Sequence, residues 1–222
     1  MREIHGIVTR QIIWQRKALQ PKRRDLIVSA IGGLGHSGAE YARRYADENQ
    51  IYPDNVVTID QIPEAIQGSD SEVKAVVFVD DFIGTGETLA SELSKIPVTV
   101  RQALNGKGLS SFVLVIAGYS DGVRTVQRAI DELDFSLDLH VCDLFRSEEA
   151  LLGEHSKIFP LMEDRVRAKD LIYEYGIQLE PDAPFGYGDT QACVVFENKI
   201  PNNCPPVLWK QKGNWKPLFR RT

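Results

Sequence analysis

The sequence predicts an α/β fold, a mostly parallel sheet flanked by helices, followed by a C-terminal extension. Four short apolar runs carry this expectation, at residues 26–31, 73–79, 112–117 and 137–142. They are continuous rather than alternating, which is the pattern of strands buried on both faces. Helical stretches at 38–49, 88–94 and 123–133 separate the runs, and strand alternating with helix implies a parallel sheet. A weaker fifth run lies at 55–59.

Beyond Cys142 the alternation is lost. Residues 148–175 are rich in charge and read as helical, 180–185 carries two prolines and reads as a connector, and 192–197 is an apolar run predicted as a strand. No internal repeat, low-complexity tract or clear linker divides the chain. The simplest organisation is a single domain over 1–222, with a core at about 24–145 and a helical and C-terminal extension at about 146–222.

Composition bounds the function classes. The chain has 222 residues, 43% of them hydrophobic and 26% charged. Its apolar runs fall well short of the roughly 18 residues expected of a membrane span. The opening MREIHGIVTRQIIWQRK mixes charges with apolar side chains, unlike a secretory signal, so the expected location is the cytoplasm with no membrane partner. Cys142, Cys193 and Cys204 show no CxxC spacing, which fits a reducing compartment and argues against a cysteine-based zinc site. The net charge of −5 gives no global attraction to nucleic acid. Positive charge gathers at Arg16, Lys17, Lys22, Arg23 and Arg24 and again at Lys210, Lys212, Lys216, Arg220 and Arg221; such clusters are either solvated surface or a polyanion contact.

The chemistry concentrates at residues 76–89, VVFVDDFIGTGETL. An apolar strand ends on Asp80 and Asp81, a turn follows through Gly84, Thr85, Gly86, Glu87 and Thr88, and a helix begins. Glycines let consecutive N–H groups turn inward around phosphate oxygens, and the helix N-terminus adds partial positive charge. Thr85 and Thr88 add hydroxyl donors. The paired carboxylates suit ribose hydroxyls or a hydrated Mg²⁺ ion, which prefers oxygen ligands and keeps several waters. A capped strand-to-helix turn with solvated aspartates needs only one of these features, whereas this segment stacks them all.

This segment resembles the signature loop of type I phosphoribosyltransferases, in which an apolar strand leads through two acidic residues to Thr-Gly-x-Thr. The resemblance implies that Asp80 and Asp81 face the ribose hydroxyls and that Thr85, Gly86, Glu87 and Thr88 take the 5-phosphate of phosphoribosyl pyrophosphate, beside the metal and Gly84 roles read from the residues themselves. The family also places a pyrophosphate-binding turn after the first core strand. Here that turn holds Gly32, Gly33, Gly35, His36, Ser37 and Gly38. One departure stands out: in the 6-oxopurine branch an acidic base occupies the position of Gly84, so ordinary purine salvage is not implied.

A second resemblance covers more of the chain. The pieces SGAEYARRYADENQI, VVFVDDFIGTGETL and FGYGDTQACVVFENKIPNNCPPVLW are similar to a divergent group of phosphoribosyltransferase-like proteins from bacterial conflict and antiphage systems, including retron-associated ones. It implies roles for Gly188, Asp189, Asn202, Asn203 and Trp209, which read equally well as a turn and a core anchor. It also implies a protein or nucleoprotein partner from a defence system.

Three alternatives stay open. Gly33, Gly35 and Gly38 match GxGxxG after a strand, and Asp60 follows about 20 residues on, which is a dinucleotide-binding fingerprint by spacing. A nucleotide sensor would keep the fold without the reaction. A nucleotide glycosidase would replace the acceptor base with water, since transfer and hydrolysis both stabilise an oxocarbenium-like ribosyl centre.

Overall fold

The computed structural model describes residues 22–32, 38–69, 72–106, 108–197 and 199–219. The continuous apolar runs form one sheet, because strands that are apolar on both sides need cover on both faces. Its strands are β1 (Leu26–Ala30), β2 (Ala75–Ile83), β3 (Ser110–Tyr119) and β4 (Asp138–Phe145), side by side in that order. β1 runs parallel to β2, with Leu26 opposite Ala75, and β2 runs parallel to β3, with Val77 opposite Phe112. The weak fifth run survives as one parallel bridge, Val56 with Val28, on the free side of β1. It is secured by the Val57 N–H donating to the Val28 carbonyl at 3.0 Å and by Asn55 Nδ2 donating to the Leu26 carbonyl at 2.8 Å.

That bridge determines how the helices are distributed. The chain leaves β1, moves outward through α1 (Gly38–Glu48) to Val56, and returns past β1 through α2 (Ile62–Gly68) to β2. From there α3 (Glu87–Ser94), α4 (Val98–Gly106) and α5 (Ser120–Asp131) carry it steadily onward. Right-handed crossovers travelling in opposite directions must lie on opposite faces of a sheet. Accordingly Tyr41, Ala42 and Tyr45 of α1 pack on Val28, Val77 and Phe112 of one face. Ile66 of α2, Leu93 of α3, Leu104 of α4 and Val126 of α5 pack on Ile27, Phe78 and Val113 of the other. The reversal of direction falls between β1 and β2, the topological switch point where open α/β sheets keep their ligand crevices.

The chain divides into two compact units, one made of Met1–Gly118 with Val123–Leu144, the other of Tyr119–Gly122 with Phe145–Thr222. The second is organised by α6 (Met162–Leu179), whose Ala168, Ile172, Gly176 and Leu179 form its buried face. Two expectations for this region are corrected. The helix predicted over 148–175 is a single 3₁₀ turn at Ser147–Glu149, then irregular chain, then α6. Ser156 accounts for part of the break, since its hydroxyl accepts from the Ile158 and Phe159 N–H groups at 3.3 and 3.2 Å, bonds that compete with helical ones. Pro160 then lacks the N–H that a continuing helix requires. The strand predicted over 192–197 joins no ladder; the Ala192 N–H is taken by the Asn203 carbonyl at 3.0 Å and Phe196 turns back on Lys199 at 2.8 Å. No described helix is long and apolar enough to cross a membrane.

Candidate ligand site at the end of β2

β2 outruns its neighbour. β1 stops at Ala30 opposite Val79, whereas β2 continues beside β3 through Phe82 opposite Ala117 and Ile83 opposite Gly118. Asp80 and Asp81, expected at the strand end, therefore lie inside β2, on the stretch that has lost β1 alongside it. Phe82 and Ile83, apolar residues directly after the aspartates, were the sequence signal for this longer strand. The overrun sets both carboxylates at the switch point.

The two aspartates differ in exposure. Asp81 is 4% exposed and Asp80 is half-buried, so Asp80 is the more accessible of the pair. The Asp81 N–H donates to Asp80 Oδ1 at 2.9 Å, which fixes the Asp80 carboxylate against its own strand. Among the described residues no group of three or more His, Cys, Asp and Glu side chains forms a metal cluster. Two adjacent carboxylates fit Mg²⁺ only when water and ligand phosphates complete the coordination, which is how that ion is commonly held.

The turn after Ile83 has the backbone that its glycines allow. Gly86 caps α3 with φ of +84°, in the left-handed region that a Cβ disfavours. The N–H groups of Gly84, Thr85 and Gly86 meet no backbone acceptor among the described residues, and α3 begins at the next position. Thr85 Oγ1 accepts the Glu87 N–H at 3.5 Å, too long for a firm cap. Gly84 and Gly86 are buried, whereas Glu87 and Thr88 are exposed on the first turn of the helix.

The start of α1 approaches the same strand end. Gly32 has φ of +89°. A Cβ on Gly38 would sit 3.1 Å from the Val79 carbonyl and 3.4 Å from the Ala30 Cβ, a tighter fit than most side chains make, so glycine suits the start of α1 this close to β2. Gly33, Gly35, His36 and Ser37 lie outside the described residues.

Asp60 occupies a different flank. It is exposed beside a cavity of about 770 Å³ on the Val56 side of β1, shared with Gly32, Arg43 and Thr58 and lined by none of residues 80–88. The motif residues of the C-terminal unit form a brace. Asn203 Nδ2 donates to the Tyr187 carbonyl and to Thr190 Oγ1, both at 3.2 Å, and the Tyr187 N–H donates to the Asn202 carbonyl at 2.8 Å. Gly188 and Asp189 take left-handed φ of +62° and +50°, and Trp209 Nε1 donates to the Cys204 carbonyl at 2.9 Å.

Several basic side chains are engaged internally. Arg23 is buried and forks onto Asp25 at 3.0 and 2.8 Å, Arg24 lies 3.5 Å over the Tyr52 ring, Lys210 pairs with Glu180, and Lys212 Nζ donates to the Gln178 carbonyl at 2.8 Å. Arg16, Lys17, Arg220 and Arg221 lie outside the described residues.

Comparison with known proteins gives a family and distant structural likenesses. The family model PRTase-CE matches residues 1–221. No match was found among curated proteins. Among solved structures, the AQ2163 protein from Aquifex aeolicus is 14% identical with a TM-score of 0.35, the match covering 55% of this chain and 56% of that one. Orotate phosphoribosyltransferase from Aeropyrum pernix is 16% identical with a TM-score of 0.31, over 53% of this chain and 58% of that one. The matches thus span a little over half of each solved chain.

Proposed function

The chain belongs to the PRTase-CE family, which is phosphoribosyltransferase-like, and from that premise we propose that it binds a ribose 5-phosphate ligand, phosphoribosyl pyrophosphate or a nucleotide, together with Mg²⁺. One observation carries the reading: the two aspartates lie on the overrun of β2, directly before a left-handed glycine turn that opens α3. Each part then has a task. The backbone of Gly84–Gly86 and the start of α3 take the phosphate, with Thr85 and Thr88 as hydroxyl donors. Asp80, the more open carboxylate, accepts from ribose hydroxyls, and Asp81 supports it through the backbone bond to its Oδ1. Gly32 and Gly38 belong to the neighbouring turn, which takes pyrophosphate or another leaving group.

Mg²⁺, when bound with the ligand, supplies charge neutralisation on the departing phosphoryl oxygens. The chain itself fixes the ribose at both ends, which holds the anomeric carbon still as positive charge develops there. Transfer to a base and hydrolysis by water make the same demand on these residues. Gly84 favours a second reading, a nucleotide sensor, because it provides no general base where the purine branch carries one. The biological setting we propose, on the resemblance of the GYGD and PNN segments, is bacterial antiphage defence with a protein or nucleoprotein partner.

Enzyme and sensor separate in one assay. The protein is incubated with phosphoribosyl pyrophosphate or nucleotides and Mg²⁺, and pyrophosphate and free base are quantified. Release that disappears in the Asp80→Asn/Asp81→Asn variant is the result expected of an enzyme. Saturable binding without turnover assigns the sensor, and absence of both binding and turnover rejects the ribose 5-phosphate site.

A further inference from the structure

The C-terminal unit holds a cavity of its own, about 740 Å³, whose lining includes Glu180, Asp182, Tyr187, Asn202, Trp209 and Lys210. None of these residues belongs to the β2 turn. Tyr187 is 43% exposed yet firmly placed. Its neighbours Gly186 and Gly188 take φ of +88° and +62°, and Asn203 clamps its carbonyl at 3.2 Å. Together with the Tyr187 N–H donating to the Asn202 carbonyl at 2.8 Å, that clamp holds the residue and its ring at the cavity wall.

The fold already shows what charge suits this place. Lys210 Nζ pairs with Glu180 and lies 5.7 Å from the centroid of the Trp209 ring, an ammonium between a carboxylate and an aromatic face. With Lys210 spent on Glu180, the remaining charge in the lining is the Asp182 carboxylate, which meets no cation among the described residues. Among the described lining residues, two carboxylates against one ammonium leave one net negative charge, which disfavours a phosphate and favours a cation.

We propose that this cavity binds a guanidinium group and that Lys210 is its built-in competitor. A guanidinium is planar, so it stacks on indole or phenol faces while its fork of donors reaches a carboxylate such as Asp182. It is also more weakly hydrated than an ammonium and gives up less on leaving water. Lys210 already holds Glu180 and approaches the Trp209 ring, the second carboxylate and the ring that an arriving guanidinium would otherwise reach beside Asp182. Removing Lys210 therefore improves the site, an outcome opposite to that for any anionic ligand.

The test titrates N-acetyl-arginine amide and the corresponding blocked lysine into the full chain, following the Trp209 indole N–H by NMR, assigned with Trp209→Phe. Saturable binding is expected, tighter for the arginine probe. Asp182→Asn should weaken it roughly tenfold, the loss of a charge-assisted hydrogen bond. Lys210→Ala should tighten it several-fold. Lys210 and Glu180 have side chains 34% and 35% exposed, so this variant should melt close to the parent and report on binding. Weaker or unchanged binding in Lys210→Ala, or no saturation by either probe, overturns the proposal. Comparing free arginine with a short arginine-containing peptide identifies the source: tighter peptide binding indicates a protein partner, and equal binding a small guanidinium compound.

Discussion

Gly86 and Glu87 set the behaviour of the phosphate turn residue by residue. Gly86 has φ of +84°, so Gly86→Ala should cost about 1 kcal/mol of stability and weaken ribose 5-phosphate binding, measured by denaturant unfolding and calorimetry. Glu87 is exposed in the first turn of α3, where its charge suits the helix but opposes a bound phosphate. Glu87→Gln should therefore tighten phosphate binding about two- to five-fold, given the few tenths to 1 kcal/mol typical of charges at a helix end. Gly186 shows what lack of space does: a Cβ there would run into the Asn203 carbonyl, so Gly186→Ala should cost roughly 3 kcal/mol. The cysteines give a simpler check. Cys142 is exposed and Cys204 buried, so a thiol reagent should modify Cys142 in the native protein and reach Cys204 only on unfolding.

At the scale of elements, the overrun of β2 past β1 creates the site, and the packing that supports it is testable. Phe78 is fully buried in the β2 face covered by α2 to α5, so Phe78→Ala should cost about 3–5 kcal/mol by urea unfolding. The core strands were legible because buried parallel strands write themselves as unbroken apolar runs, and Gly38 and Ser94 marked helix ends correctly. The end of β2 was not, since two adjacent aspartates look like a turn even when Phe82 and Ile83 continue the ladder. α2 and α4 were missed for a related reason. α2 carries a proline in its first turn and α4 directly follows Pro97, and proline between apolar runs reads as a breaker. The C-terminal unit misled further, because 192–197 has the composition of a strand but its backbone bonds go to turns. Of the candidate site, residue types and order were readable; the contact of Gly38 with the Val79 carbonyl was not, because it joins chain segments some 40 residues apart.

For the whole molecule, burial of ionisable groups sets an alkaline limit. Burial pushes the Cys204 thiol up to about 12 and the Tyr119 phenol up to about 12, the latter against an opposing hydrogen bond with the Cys193 backbone. The unfolded chain loses these protons earlier, near pH 8.5 and 10, so it binds fewer protons than the native state across that window. Stability should be unaffected by these groups below about pH 8.5 and decline steadily as pH rises towards 12, a trend that thermal melts across that range would reveal. Cys204→Ala should flatten its first part. The central claim, however, concerns the aspartates on β2 and the turn that follows them. Isothermal titration of phosphoribosyl pyrophosphate with Mg²⁺ into the parent and into Asp80→Asn/Asp81→Asn, with melting temperatures recorded for both, tests it most directly. The account predicts saturable binding to the parent and a loss of roughly a hundredfold or more in a variant that melts at a similar temperature, as expected when charged hydrogen bonds to a ligand are removed. Equal affinity in the two proteins would contradict it.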